Sequence, residues 1–103
     1  FIIHKVKSVK LDDILINNSI GFIKIDVEGH EKNVLEGAKN LIKKNKPNLL
    51  VEIEERHSQL KVEDTINFIN KLGYKSYFFD GTDIKSTQIL KSLNSKRNYI
   101  FIP

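Results

Sequence analysis

Cysteine is absent from the 103-residue sequence. A disulfide framework, thiolate metal sites and cysteine nucleophiles are all excluded by that one fact. It fits a reducing compartment, and the expected location is cytoplasmic. Methionine is absent as well, and the chain opens on Phe1; the expectation is a chain that has been cut, processed or read only in part. Glycine is sparse. The five glycines, at 21, 29, 37, 73 and 81, never come close enough to build a loop that cradles a phosphate or nucleotide. No apolar run approaches the roughly 20 residues of a membrane span, and no signal-peptide pattern opens the chain. No membrane partner is expected.

What is present is ordinary for a globular protein. Hydrophobic residues make up 40% and charged residues 29%, which excludes disorder by composition. The length suits one domain or part of one. A net charge of +4 raises the question of nucleic acid. However, Lys39, Lys43, Lys44 and Lys46 sit late in a predicted helix and just after it, where cations complement the negative end of the helix dipole. No base-reading motif accompanies them, and no nucleic-acid partner is expected.

Along the chain, strand and helix patterns alternate. Residues 6–9 suggest a short edge strand, and residues 11–15 a turn or helical turn. Residues 20–27, IGFIKIDV, are apolar and β-branched, as in a buried parallel strand, and become polar only near the end at Lys24 and Asp26. Open α/β sheets place ligand sites at such strand ends. Glu28, Gly29, His30 and Glu31 then turn the chain into a helix whose inner face is Val34, Leu35, Ala38, Leu41 and Ile42. Gly37 falls within it, which predicts close packing on the sheet, and Pro47 stops it. Residues 48–53, NLLVEI, form a second strand turning acidic at Glu52, Glu54 and Glu55. A helix over 62–72, capped by Gly73, leads to a third strand over 74–79 and a turn at Asp80-Gly81. A short helix is expected near 88–93 and a last strand over 99–102. The pattern predicts two right-handed crossovers on a mostly parallel sheet, with the last strand returning antiparallel beside 74–79.

The run IKIDVEGHEKNVLEGAKNLIKKNKPNLLVEIEE closely resembles the signature of FkbM-type methyltransferases. Lys24, Asp26, Glu28, Gly29, Leu35, Gly37, Ala38, Pro47 and Glu52 carry the resemblance. Leu11-Asp12 and the closing run 98–103 also look like the family's. The resemblance implies an α/β fold: the C-terminal half of a Rossmann-like class I methyltransferase sheet, in a single domain with residues 1–103 as its C-terminal part. It further implies S-adenosylmethionine as cofactor and methyl transfer to a hydroxyl of a sugar, polysaccharide or natural product. The family's Asp-x-Gly-x-x-x-Gly cofactor loop has no counterpart here. The expectation is therefore that the cofactor-binding half is absent, that the chain alone is inactive, and that uncovered sheet surface promotes self-association.

Methyl transfer to an alcohol needs the acceptor oxygen positioned and its proton removed. Asp26, Glu28 and His30, clustered at one strand end, are the candidate catalytic residues. One of them acts as general base or positions the acceptor; a Mg²⁺ site built by Asp26 with Glu28 or Glu52 is the less favoured alternative. The competing structural roles are helix N-terminal stabilisation by Glu28 and Glu31 and a Lys24–Asp26 ion pair. His57 reads as a solvated loop residue, His4 carries no spacing signal, and Tyr74, Tyr77, Phe78 and Phe79 read as core and edge. A non-catalytic α/β interaction module is the alternative function.

Overall fold

A computed structural model of the protein describes residues 8–15, 19–27, 29–53, 62–89 and 97–103. The chain runs through α1 (Leu11–Leu15), β1 (Phe22–Ile25), α2 (Glu31–Gly37), α3 (Lys39–Asn45) and β2 (Asn48–Ile53). It continues through α4 (Val62–Asn70), β3 (Lys75–Phe79), β4 (Ile84–Ser86), a 3-10 turn (Thr87–Ile89) and β5 (Arg97–Ile102). The strands form one mixed sheet in the order β1-β2-β5-β3-β4. No helix among the described residues is long and apolar enough to cross a membrane.

The sheet corrects the expectation of a mostly parallel arrangement. Only β1 and β2 pair in parallel; β2–β5, β5–β3 and β3–β4 are antiparallel. β1, β2 and β3 do run in one direction, but β5 is inserted between β2 and β3. The reason lies in its side chains. Tyr99 and Phe101 are fully enclosed, and only a central position can bury two aromatic groups on one strand. The antiparallel partnership of β5 with β3 is as expected. The edge strand β4 has no counterpart in the sequence pattern, and the helix expected near 88–93 begins as the 3-10 turn, the remainder lying outside the described residues. Ser8 and Val9 lie outside any strand, so the edge strand expected there is not formed by them.

Alternation along the strands defines two unlike faces. Leu49, Val51, Ile53, Tyr99, Phe101 and Phe78 point to one side, where Leu35, Ala38 and Ile42 from α2 and α3 and Val62, Ile66 and Ile69 from α4 cover them. Each large apolar side chain so enclosed stabilises the fold by roughly 1.5–3 kcal/mol. The opposite face carries Phe22, Lys24, Leu50, Ile100 and Phe79. β1 is thus not buried on both sides: Phe22 is 59% exposed.

The single helix expected after residue 30 is two helices. Ala38 leaves helical geometry at φ −116° and ψ 11° and serves as the N-cap of α3 without a capping side chain. Asp12, from α1, supplies the missing acceptor: its carboxylate accepts the backbone N–H groups of Asn40 at 3.0 Å and Leu41 at 2.8 Å. A new helix can start there because its orphan donors are satisfied from outside. A Cβ on Gly37 would lie 3.4 Å from Lys10 Cβ and Cγ, so its close packing is against the segment entering α1, not the sheet. The break also puts Lys39 at the start of α3, leaving Lys43 and Lys44 as its last-turn cations.

At the N-terminal ends of the strands, the α3–β2 and α4–β3 loops are tied together. Lys46 ends α3 in the left-handed conformation, and its ammonium donates to the Leu72 carbonyl. The Tyr74 hydroxyl donates to the Pro47 carbonyl at 2.6 Å, and burial pushes its pKa up to about 12.

Candidate functional site

The opposite, C-terminal end of the parallel pair carries the acidic residues. Asp26 directly follows β1 and is exposed. β1 ends at Ile25, which pairs with Val51, so Asp26 and Glu52 each follow that last pair at the same end of the sheet, Glu52 being half-buried in β2. Carboxylates at such a strand end are of the kind that accept a proton from a hydroxyl. Lys24 shares this face but makes no ion pair among the described residues, so the Lys24–Asp26 pair weighed as a competing structural role is not formed.

Beyond Asp26 the chain reverses at Gly29, whose φ of +97° is a conformation that side chains with a Cβ strongly disfavour. Glu31 secures the reversal: its Oε1 accepts the Gly29 N–H at 3.0 Å, and its side chain is only 2% exposed. The helix-entry role weighed for Glu31 is therefore the one its geometry serves, through the turn before α2. His30 occupies the N-cap position, makes no side-chain capping bond and is exposed. Its ring is available at the strand end rather than engaged in the helix. Glu28, Glu54, Glu55, His57 and His4 lie outside the described residues. The structure thus brings Asp26, His30 and Glu52 to one end of the sheet; among the described residues no group of three or more His, Cys, Asp or Glu is arranged to hold a metal ion.

The described residues do not fit a nucleotide-sized cofactor by themselves. Gly29 is the sole positive-φ glycine beside the acidic residues; Gly73 lies at the other end of the sheet and Gly81 in the β3–β4 turn. Isolated glycines of this kind make tight turns, not a cradle for a cofactor. The chemistry open to the acidic strand end is that of holding a hydroxyl and taking its proton.

Sequence reasoning missed a second set of residues. A cavity of about 860 Å³ opens on the uncovered face, lined in part by Lys24, Asn98, Thr82 and Asp83. The run 99–102 was legible as a last strand. Its place between β2 and β3, which brings Asn98 near the acidic end, had no sequence signal.

An α/β protein with acidic residues at the ends of adjacent parallel strands is the class these observations define. A profile described as the Methyltransferase FkbM domain matches residues 1–76. The chain belongs to the FkbM methyltransferase family. No curated protein and no solved structure matches the chain. The profile match ends within β3, so the β3–β4 turn and the closing run 98–103 lie beyond it.

Proposed function

We propose that the chain is the acceptor-side part of an S-adenosylmethionine-dependent O-methyltransferase acting in the cytoplasm on a hydroxyl of a sugar, polysaccharide or natural product. The observation that carries this reading is the placement of Asp26 and Glu52 at the C-terminal ends of two parallel strands, within a chain of the FkbM family. Two further features support it. β1, β2 and β3 run in one direction with a single reversed strand among them, which is similar to the way the sheets of class I methyltransferases end. The strand end is also followed by the tight Gly29 turn that fixes the direction of His30.

In this reading the acceptor hydroxyl would lie against Asp26, and Asp26, Glu28 or His30 would take its proton as its oxygen bonds to the methyl carbon and the carbon–sulfur bond of the sulfonium breaks, leaving a neutral thioether. A general base so placed contributes on the order of 10²–10⁴ in rate. The cofactor supplies the methyl group. With no glycine cradle of its own, this chain transfers no methyl group alone and completes a single domain with a cofactor-binding part.

Calorimetric titration with S-adenosylmethionine tests the reading, using this chain and the protein expressed from its complete reading frame. Saturable binding by the complete frame and none by this chain is the expected outcome. A complete, folded protein that binds no S-adenosylmethionine overturns the enzyme reading and favours an α/β interaction module.

A further inference from the structure

Charge is sorted along the strand axis. At the N-terminal ends of β2 and β3, where α3 and α4 finish, stand Lys43, Lys44, Lys46, Lys71 and Lys75. Residues 37–51 and 65–79, which contain these turns, hold no Asp or Glu, and neither do residues 14–25. Asp26, Glu31 and Glu52 lie at the other end of the sheet. The six residues of β2 span the two ends, about 20 Å at ~3.3 Å per residue. That distance exceeds the Debye length of about 8 Å at physiological salt. The far carboxylates therefore do not cancel the field of the lysines.

Structural duties use only part of this charge. The C-terminal ends of α3 and α4 each carry about half a negative elementary charge, roughly one charge in all against five ammonium groups. Lys46 is committed: it donates to the Leu72 carbonyl, and its ammonium lies 5.6 Å from the centre of the Tyr74 ring. Lys43, Lys71 and Lys75 are exposed and form no ion pair with a described residue. The Lys46–Leu72 and Tyr74–Pro47 bonds tie together the loops that carry them.

We propose that this basic end is a docking surface for an anionic lipid bilayer. The inference goes beyond the methyltransferase reading and does not depend on it. A surface contact needs no long apolar run, so the pattern that argued against a membrane span does not bear on it. The cations here are all lysines, compact point charges suited to a diffuse layer of headgroups. Arginine, whose planar fork grips single phosphates bidentately, is not among the described residues at this end. Single-stranded bases need successive exposed rings to stack on, whereas at this end Tyr74 is buried and Phe22 stands alone. Ile102, paired with Lys75 and 44% exposed, is an aliphatic group of the kind that enters the headgroup boundary. Docked in this way, the acidic strand end points away from the bilayer.

The test is co-sedimentation of the protein expressed from its complete reading frame with vesicles of phosphatidylcholine, alone or with one-third phosphatidylserine. The expected result is binding to the anionic vesicles only, weakening as salt rises from about 0.1 to about 0.5 M. Each lysine near such a surface is worth about fivefold in affinity. Lys43→Gln with Lys71→Gln should therefore weaken binding about 25-fold, and Lys75→Gln alone about fivefold. Lys24→Gln with Lys32→Gln removes the same net charge nearer the acidic end and should weaken binding less than about threefold. Melting temperatures are read in parallel; if the first pair loses its fold, Lys75→Gln decides. Equal binding to both kinds of vesicle, or equal losses from the two double variants, overturns the proposal. Tighter binding to a duplex or single-stranded oligonucleotide at the same salt overturns it as well.

Discussion

Within β2 the two faces of the sheet can be compared residue by residue. Leu49, Val51 and Ile53 are enclosed by helices, while Leu50 and Glu52, the residues between them, are only partly covered. β5 repeats the contrast, with Tyr99 and Phe101 enclosed and Asn98 and Ile100 not. Composition does not separate the faces, since Leu50 and Ile100 are as apolar as their neighbours. What separates them is the placement of α2, α3 and α4 on one side. One face holds the fold together, and on the other no described helix packs.

The largest test of that contrast is mutational. Phe101→Ala on the covered face should cost about 3–5 kcal/mol through lost burial and the cavity left behind, and Phe79→Ala on the open face less than ~1 kcal/mol. Urea denaturation measures both; equal losses would erase the distinction. Next in size is Asp12→Ala. It removes the acceptor for two donors at the start of α3 and should cost about 1–2 kcal/mol, with hydrogen exchange rising at Asn40 and Leu41. A smaller loss, about 0.5–1.5 kcal/mol, is expected for Tyr74→Phe, which deletes the bond to Pro47.

Tyr74 also predicts a pH dependence. Its folded pKa is raised to about 12 against an ordinary 10.0, so the folded state holds the proton more tightly. Its contribution is present below pH ~10 and is lost as pH rises through about 12. Tyr74→Phe should flatten the alkaline limb of a stability–pH curve. The smallest effect concerns association. Phe79→Ser with Ile84→Ser should reduce concentration-dependent self-association, read by sedimentation, with little change in stability.

The helical periodicity of Val34, Leu35, Ala38 and Ile42, the apolar runs of β1 and β2, and the acidic strand end were legible because each is written in consecutive residues. The break at Ala38 was not, since it depends on Asp12, 28 and 29 residues from the two N–H groups it accepts. Nor was the position of β5: sequence order put it after β3, whereas the burial of Tyr99 and Phe101 put it between β2 and β3. The site divides the same way. Asp26 and His30 follow from local pattern, but the crevice of Asn98, Phe79 and Asp83 requires the strand order and register.

The measurement closest to the central claim is transfer of a labelled methyl group from S-adenosylmethionine by the protein expressed from its complete reading frame, comparing the natural sequence with Asp26→Asn. The account predicts a rate lowered on the order of 10²–10⁴ with the affinity for S-adenosylmethionine retained. An unchanged rate in Asp26→Asn would contradict it, because the acidic strand end would then take no part in handling the acceptor.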